Sequence, residues 1–215
     1  LIAFLFYLCQ YFVIFFFNAA LVGAAMIRLD GGNPTVGDGL RIASSKAGSI
    51  LGYAFIAATV GMILRAIQER VGFIGKIIVG ILGAGWTLAT YMVVPVLVTR
   101  DVGPVDAVKE SAMLLKKTWG ENIAGQAGLG LAFGLIQAGI IIGGILLVVA
   151  AAMTQNMPLT ILTAALVVVA VLVTALIHAA LAGIYSAALY RYASGGEDTA
   201  GFNTAVLRQA FLPAK

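Results

Sequence analysis

Charge is scarce in this sequence, and so are the residues that build metal sites and disulfides. Asp, Glu, Lys and Arg make up 10% of the chain, whereas an ordinary soluble domain carries roughly a quarter. Cysteine and histidine occur once each, and a zinc site takes three or four ligands. These shortages exclude a disulfide-stabilised scaffold and a His/Cys metal centre, and they argue against a soluble globular domain.

Apolar residues dominate instead. Hydrophobic residues make up 61% of the chain, and several apolar runs exceed the ~18 residues that indicate a membrane-spanning helix. The sequence therefore predicts an all-α fold, a polytopic transmembrane helical bundle in a single domain over residues 1–215. Five spans are predicted, at about 1–27, 47–64, 71–99 and 122–153, and from near Pro158 to about 190.

The chain begins inside the first apolar run. Leu1 lies in mid-span without an initiator Met, so we expect that upstream residues are missing and that the domain lacks its N-terminal part. The run is long and aromatic and has no basic segment before it, which excludes a secretory signal. It is therefore predicted to be a retained transmembrane helix.

Basic residues collect on one side of the membrane in this predicted topology. The connections after spans one, three and five, which we call the elbows, hold ten of the thirteen Lys and Arg residues. Because Lys and Arg accumulate on the cytoplasmic side, the elbows and the C-terminus are predicted to be cytoplasmic. The net charge of +4 then reflects orientation in a membrane, and no nucleic-acid partner is expected. The ten residues are Arg28, Arg41, Lys46, Arg100, Lys109, Lys116, Lys117, Arg191, Arg208 and Lys215.

Each elbow is predicted to contain a short helix, at about 35–46, 104–119 and 199–212. In the first, Thr35 and Asp38 have the T-x-x-D spacing of a helix start. In the second, the charged residues fall within one arc of about 120° on a helical wheel, which predicts an amphipathic helix lying in the membrane interface. Its apolar face is predicted to hold Val105, Val108, Ala112, Leu115 and Trp119, opposite Asp106, Lys109, Glu110, Lys116 and Lys117.

Two interpretations of the second elbow helix stay open. Its face with Lys109, Glu110, Lys116 and Lys117 is a candidate docking surface for a partner or for anionic lipids. Alternatively, the helix only sets the angle between spans three and four. A weak repeat relates the first two elbows, because Asp38 and Arg41 align with Asp106 and Lys109. It indicates either a duplicated unit or recurrent turn and basic residues at each exit.

Four segments carry a resemblance to known proteins: GPVDAVKESAMLLKKTWGENIAG, FFNAALVGAA, GFNTAVLRQAF and the WTLATYMVVPVLV run containing Trp86 and Pro95. Through these segments the sequence resembles a family of bacterial multi-pass membrane proteins known only as a domain of unknown function. It implies a six-span helical protein of the bacterial inner (plasma) membrane and assigns no catalytic residue. The second elbow and the span after it also resemble, more loosely, membrane segments attached to some glycerophosphodiester phosphodiesterases, although no phosphodiesterase motif is present.

Four polar residues are candidates for burial within the spans: Asn18, Gln126, Gln137 and His178. They would either line an aqueous path or join helices by hydrogen bonds. Ser186 is the serine nearest His178 along the last span, and the two lie roughly 12 Å apart along the helix axis. A Ser–His catalytic pair within this helix is therefore excluded, and no catalytic, cofactor or metal site is predicted.

Two features of the backbone suggest how the spans pack. Pro95 removes a hydrogen-bond donor within the third span and predicts a kink there. The fourth span carries two ridges of small residues, one through Gly130 and Gly134 to Ala138 and one through Gly139 and Gly143. Such ridges allow helices to approach closely, within the bundle or between subunits.

The sequence supports two functional hypotheses. The first is a non-catalytic scaffold or accessory subunit of the inner membrane, without a cofactor, whose partners are membrane lipids and either a second copy or another membrane protein. The alternative is a channel or facilitator for a small solute. An enzyme is not expected, because no set of residues suited to catalysis occurs.

Overall fold

The computed structural model describes residues 2–194, except for the side chains of 119, 121–124 and 126. Of these residues 89% are helical and none is in a strand, which confirms the all-α fold. The predicted tail helix at 199–212 lies outside the described residues. The helices are α1 Ile2–Leu29, α2 Val36–Ser45, α3 Ala47–Arg70, α4 Phe73–Ala89, α5 Val93–Thr99, α6 Pro104–Lys117, α7 Trp119–Met153 and α8 Met157–Ala193.

Five segments of the described chain are long and apolar enough to cross a membrane: α1, α3, Phe73–Thr99, Ala127–Met153 and α8. The five predicted spans are therefore confirmed, and the chain is an integral membrane protein. The second span extends further than predicted, to Arg70. The polar residues from Arg65 to Arg70 continue the helix. Arg65 Nε and Glu69 Oε1 pair one turn apart at 3.0 Å and support this last part of it.

The described helices divide between two compact units. Among the described residues, the first unit comprises 2–119 and 183–194, and the second comprises Gly120–Ala182. The buried core of the first unit lies towards one end of its spans, where the end of α1, the start of α3, α5, α6 and the end of α8 meet. Its fully covered side chains include Val22, Ala43, Ile50, Met92, Val93, Val96, Leu97, Ala107 and Ala187.

Two glycines bring α2 against the last turns of α1. A Cβ on Gly39 would lie 2.5 Å from the Ala20 carbonyl oxygen, and one on Gly23 would lie 2.9 Å from Ile42 Cγ2. The absence of side chains at these positions therefore allows the two helices to approach closely.

The capping box predicted for the first elbow helix is confirmed. The Thr35 hydroxyl accepts from the Asp38 amide at 3.2 Å, and the Asp38 carboxylate accepts from the Thr35 amide at 3.0 Å. The Thr35 hydroxyl also donates to Asp38 Oδ2 at 2.7 Å. These hydrogen bonds, together with nearby Arg41, hold the pKa of Asp38 below its ordinary value.

The third span is two helices rather than one kinked helix. The predicted kink at Pro95 occurs earlier, at Thr90–Met92, and Pro95 is the third residue of α5. Pro95 has no N–H to donate to the Tyr91 carbonyl, so a continuous helix would lose a hydrogen bond there and crowd that carbonyl. In the first turn of a new helix the missing donor costs nothing, which explains why the chain breaks just before it.

The second unit contains most of two antiparallel helices. Gly144 faces Val167, Phe133 stacks on His178, and the Gln137 amide donates to the Val171 carbonyl at 3.4 Å. As predicted, Pro158 lies in the first turn of α8, where the Asn156 side chain caps the helix by accepting from the Leu159 amide at 3.1 Å. Most of the surface of these helices is exposed, including Leu131, Leu135, Leu146, Leu166 and Leu176.

Candidate functional site

A set of polar contacts joins the elbows to the end of the last span, and we call it the elbow junction. Asp30, just after α1, pairs with Arg191 near the end of α8. Lys46, just before α3, pairs with Asp101 at 3.2 Å and donates to the Arg100 carbonyl at 3.1 Å. The junction also contains Arg100, Glu110 and Tyr190. Its members come from segments that are far apart in sequence, so the contacts fix the spans relative to one another within the first unit.

Arg100 lies at the centre of the elbow junction. Its Nη1 pairs with Glu110 Oε1 on α6 at 2.9 Å, and its Nε donates to the Tyr190 hydroxyl on α8 at 3.3 Å. The hydrogen bond that Arg100 donates to Tyr190, together with electrostatic attraction to Tyr190 and Glu110, raises the pKa of Arg100 above its ordinary value. Arg100 therefore carries its charge at every physiological pH, and it acts as a permanent bridge between three helices.

Ser111 of α6 inserts into the break of the third span. Its hydroxyl donates to the Ala89 carbonyl at 2.6 Å and accepts from the Met92 amide at 3.0 Å. Both backbone groups would bond within the helix if α4 and α5 were continuous. Ser111 is 0% exposed, so its hydroxyl replaces hydrogen bonds that buried backbone groups require. The second elbow thereby supplies the hydrogen-bond partners that the break in the third span requires.

The face of α6 that is buried is not the predicted apolar face. Ala107, Ser111 and Leu114 are buried, whereas Val105 is 54% exposed. The buried stripe lies between the charged arc and the predicted apolar arc, because α6 packs sideways against α5 through small residues. The side chain of Trp119, placed on the apolar face by the prediction, lies outside the described part of the chain.

The four candidate docking residues of α6 have different surroundings. Glu110 belongs to the elbow junction, and only 15% of its side chain is exposed. Lys109 pairs with Asp106 at 3.2 Å, and Asp38 pairs with Arg41 at 2.5 Å at the aligned positions of α2. Lys116 and Lys117 are exposed. The repeat between the elbows thus corresponds to a matching pair of ions one turn apart.

The described polar candidates of the spans each contact a neighbouring helix within their own unit. In the first unit, Asn18 Oδ1 lies 3.3 Å from the position of a Cβ on Gly183. In the second unit, Gln137 bonds to the backbone of α8, and the His178 ring lies 4.9 Å from the Phe133 ring at an angle of 14°. The side chain of Gln126 is not described. Each of the three described candidates therefore lies at a contact between helices.

The predicted glycine ridges face open space in the described structure. No atom would lie within 4 Å of a Cβ on Gly130, Gly134, Gly139 or Gly143. The close approach of α7 and α8 instead uses Gly144, where a Cβ would lie 2.4 Å from Val167 Cγ1. Within the second unit, the four ridge glycines therefore contribute nothing to packing between the two helices.

Sequence reasoning missed the contacts of the elbow junction and the contact of Ser111 with the break of the third span. Ser111 carried a weak signal, because it is polar on a stripe otherwise formed by Ala107 and Leu114. Asp30 and Arg191 carried no such signal, because the two residues are 161 positions apart in the sequence. No group of three or more metal-binding side chains occurs among the described residues. The junction supplies fixed charges and hydrogen bonds whose described partners are other parts of the same chain.

Comparison with other proteins places the chain in a family without supplying an activity. Searches of curated proteins and of solved structures give no match. A family model described as a family of unknown function matches residues 1–202. That match extends over all five spans and both described elbows. The chain therefore belongs to the family of unknown function DUF6159.

Proposed function

We propose that this protein is a non-catalytic scaffold or accessory subunit that assembles in the bacterial inner membrane. The observation that carries the proposal is the contrast in burial between its spans. In the most apolar stretch of each helix, 39% of residues are buried in α1, 11% in α7 and 0% in α8. Two largely uncovered apolar helices are suited to assembly with another membrane protein.

The elbows and the C-terminus face the cytoplasm in this proposal. The support is the basic count, since most Lys and Arg residues lie in the elbows. Exposed Lys116 and Lys117 would lie among anionic headgroups, and exposed Val105 would contact the acyl boundary beside them. In this orientation α6 is an interfacial helix that also packs sideways on the protein.

The partner in this proposal is a second copy of the same chain. The open ridge through Gly130, Gly134 and Ala138 lets two identical helices approach closely, which is the usual basis of small-xxx-small association in membranes. Symmetric homo-oligomers are also the commonest assemblies. The polar groups of the spans support a structural role rather than a path, because Gln137 and His178 contact neighbouring side chains and backbone.

The substitution Gly134→Leu tests this assembly, with Gly128→Leu as its matched control. Both glycines are exposed positions of α7 with no atom near an added Cβ, and only Gly134 lies on the ridge. Counting subunits by photobleaching in liposomes should show oligomers for the wild type and for Gly128→Leu, and monomers for Gly134→Leu. A monomeric wild type would refute the second-copy assembly.

Solute flux through liposomes tests the alternative function. A scaffold should release no trapped solute faster than empty liposomes do. If the wild type instead conducts a small solute, and Gln137→Leu or His178→Phe abolishes that conduction, the protein is a facilitator and the scaffold proposal fails.

A further inference from the structure

A cleft of about 600 Å³ lies between α1, α3 and α4 within the first unit. On each helix the lining residues recur at three- and four-residue intervals, so one face of each helix borders the cleft. On α3 they extend from Tyr53 to Gln68, a distance of roughly 22 Å along the helix axis. The cleft therefore runs along much of the thickness of a bilayer.

One end of the cleft is closed by buried residues, and the other end is open and carries exposed polar residues. At one end, Tyr53 and Thr90 are buried and share a hydrogen bond, and the Thr90 hydroxyl also donates to the Trp86 carbonyl at 2.8 Å. At the other end are Arg65 and Gln68, both exposed. The walls between these ends include aromatic and apolar side chains. A ligand that fits this arrangement has a polar head and a long apolar tail.

Two glycines on facing helices keep the cleft open. The nearest atom to a Cβ on Gly83 would be Leu64 Cδ1 at 3.9 Å, and the nearest to one on Gly61 would be the Tyr11 hydroxyl at 3.4 Å. Both positions therefore have room for more than glycine. The space is a property of these particular positions, because larger side chains there would fill it.

Arg65 is held in place at the mouth of the cleft. Its Nε pairs with Glu69 at 3.0 Å, and its Nη1 donates to the Tyr7 hydroxyl at 2.5 Å. Tyr7 and Arg65 also line an adjoining pocket of about 180 Å³. Nearby in sequence are Arg70 and Lys76, so cations outnumber Glu69 at this end of the spans. This balance favours an anionic head over a neutral one.

We infer that the cleft binds one membrane lipid with an anionic headgroup. Its phosphate would bind Arg65 and Gln68, and one acyl chain would lie between α1, α3 and α4 towards Tyr53. The volume falls within the ~300–1,000 Å³ of ordinary ligand sites, and lipid surrounds these helices at high concentration. The inference goes beyond the scaffold proposal and does not depend on it, because the cleft lies wholly within the first unit.

Fluorescence of Trp86, which lines the cleft, provides a direct test. The sequence has two tryptophans, so the substitution Trp119→Phe leaves Trp86 as the only one. In phosphatidylcholine vesicles, a minor fraction of brominated phosphatidylglycerol should quench Trp86 more strongly than the same fraction of brominated phosphatidylcholine. Equal quenching by the two lipids would mean that Trp86 meets only bulk lipid, and it would overturn the inference.

Two matched pairs of variants test whether the quenching of Trp86 arises from lipid bound in the cleft. Arg65→Gln should reduce the preference for phosphatidylglycerol by roughly five-fold, whereas Arg70→Gln, outside the cleft lining, should keep most of it. Gly83→Leu should protect Trp86 from both brominated lipids by filling the cleft, whereas Gly85→Leu should not. Equal losses in Arg65→Gln and Arg70→Gln would show that only surface charge attracts the lipid, and the inference would fail. The arginine pair remains decisive if a leucine variant does not fold.

Discussion

The first unit packs its apolar residues against one another at the elbow end, whereas the second unit buries almost none of its apolar residues. The apolar stretches of α7 and α8 are more hydrophobic than those of the first unit, so apolar content does not explain the difference. Lipid tails solvate a leucine as well as another leucine does, so apolar area alone does not drive helices together in a membrane. Close backbone contact, polar contacts and ion pairs therefore determine where this chain is compact.

The largest expected difference between the units comes from adding one methyl group. Gly39→Ala should destabilise the protein by about 3 kcal/mol, because its Cβ would press on the Ala20 carbonyl oxygen of the opposing helix. Gly128→Ala in the second unit should cost nothing measurable, since no atom would lie within 4 Å of its Cβ and Gly128 is not on the proposed ridge. Denaturant titration in mixed micelles, followed by circular dichroism, measures both. Equal stability of the two variants would show that α1 and α2 are not tightly packed.

Removal of one hydroxyl gives the next effect. Ser111→Ala leaves the buried Met92 amide without its partner and should cost about 2 kcal/mol. Thr174→Ala in α8 is the control, because that hydroxyl bonds only within its own helix, to the Ala170 carbonyl, and its loss should change stability little. The same titration measures both variants. If Ser111→Ala were as stable as the control, the Met92 amide and the Ala89 carbonyl would have to form other hydrogen bonds.

The smallest effect concerns pH and applies to the first unit. Because the pKa of Asp38 is lowered in the folded protein, its carboxylate stabilises the fold above the ordinary carboxyl pKa and loses that effect as pH falls through the lowered pKa. Between 127 and 182 the second unit contains no Asp or Glu. The melting temperature of the wild type should therefore exceed that of Asp38→Asn at neutral pH.

The same gap in melting temperature should close as the pH falls below 3.8, the ordinary pKa of the carboxyl group. Protonated Asp38 then resembles the neutral amide of the variant. Melting of both proteins in detergent from neutral to acidic pH provides the measurement. A gap that persists in acid would mean that the Asp38 charge contributes nothing to the helix start.

The sequence was sufficient for the features that depend on local pattern. Apolar run lengths predicted five spans, the Thr35 and Asp38 spacing predicted a capping box, and Pro158 was placed correctly in a first helical turn. Each of these rests on residues within a few turns of one another. The family was also evident from its motifs, and residues 1–202 match its model.

Contacts between distant segments could not be predicted in the same way. The pairing of Asp30 with Arg191 joins residues 161 positions apart, and neither residue differs from an ordinary charge beside a helix end. The protein-facing stripe of α6 was not predicted, because amphipathicity separates charge from apolar surface but does not identify a face that packs against protein. The cleft was missed because only the three-dimensional arrangement aligns the lining faces of α1, α3 and α4.

The bond between Ser111 and the broken span also sets an order of events during synthesis. Ser111 follows Met92 by 19 residues, and ribosomes add about 5–20 residues per second. The Met92 amide and the Ala89 carbonyl are therefore synthesised about one to four seconds before Ser111, their hydrogen-bond partner. Because an unsatisfied backbone group is costly in hydrocarbon, the third span becomes complete only when the second elbow arrives. Membrane insertion of this chain is thus a process in which a later segment finishes an earlier one.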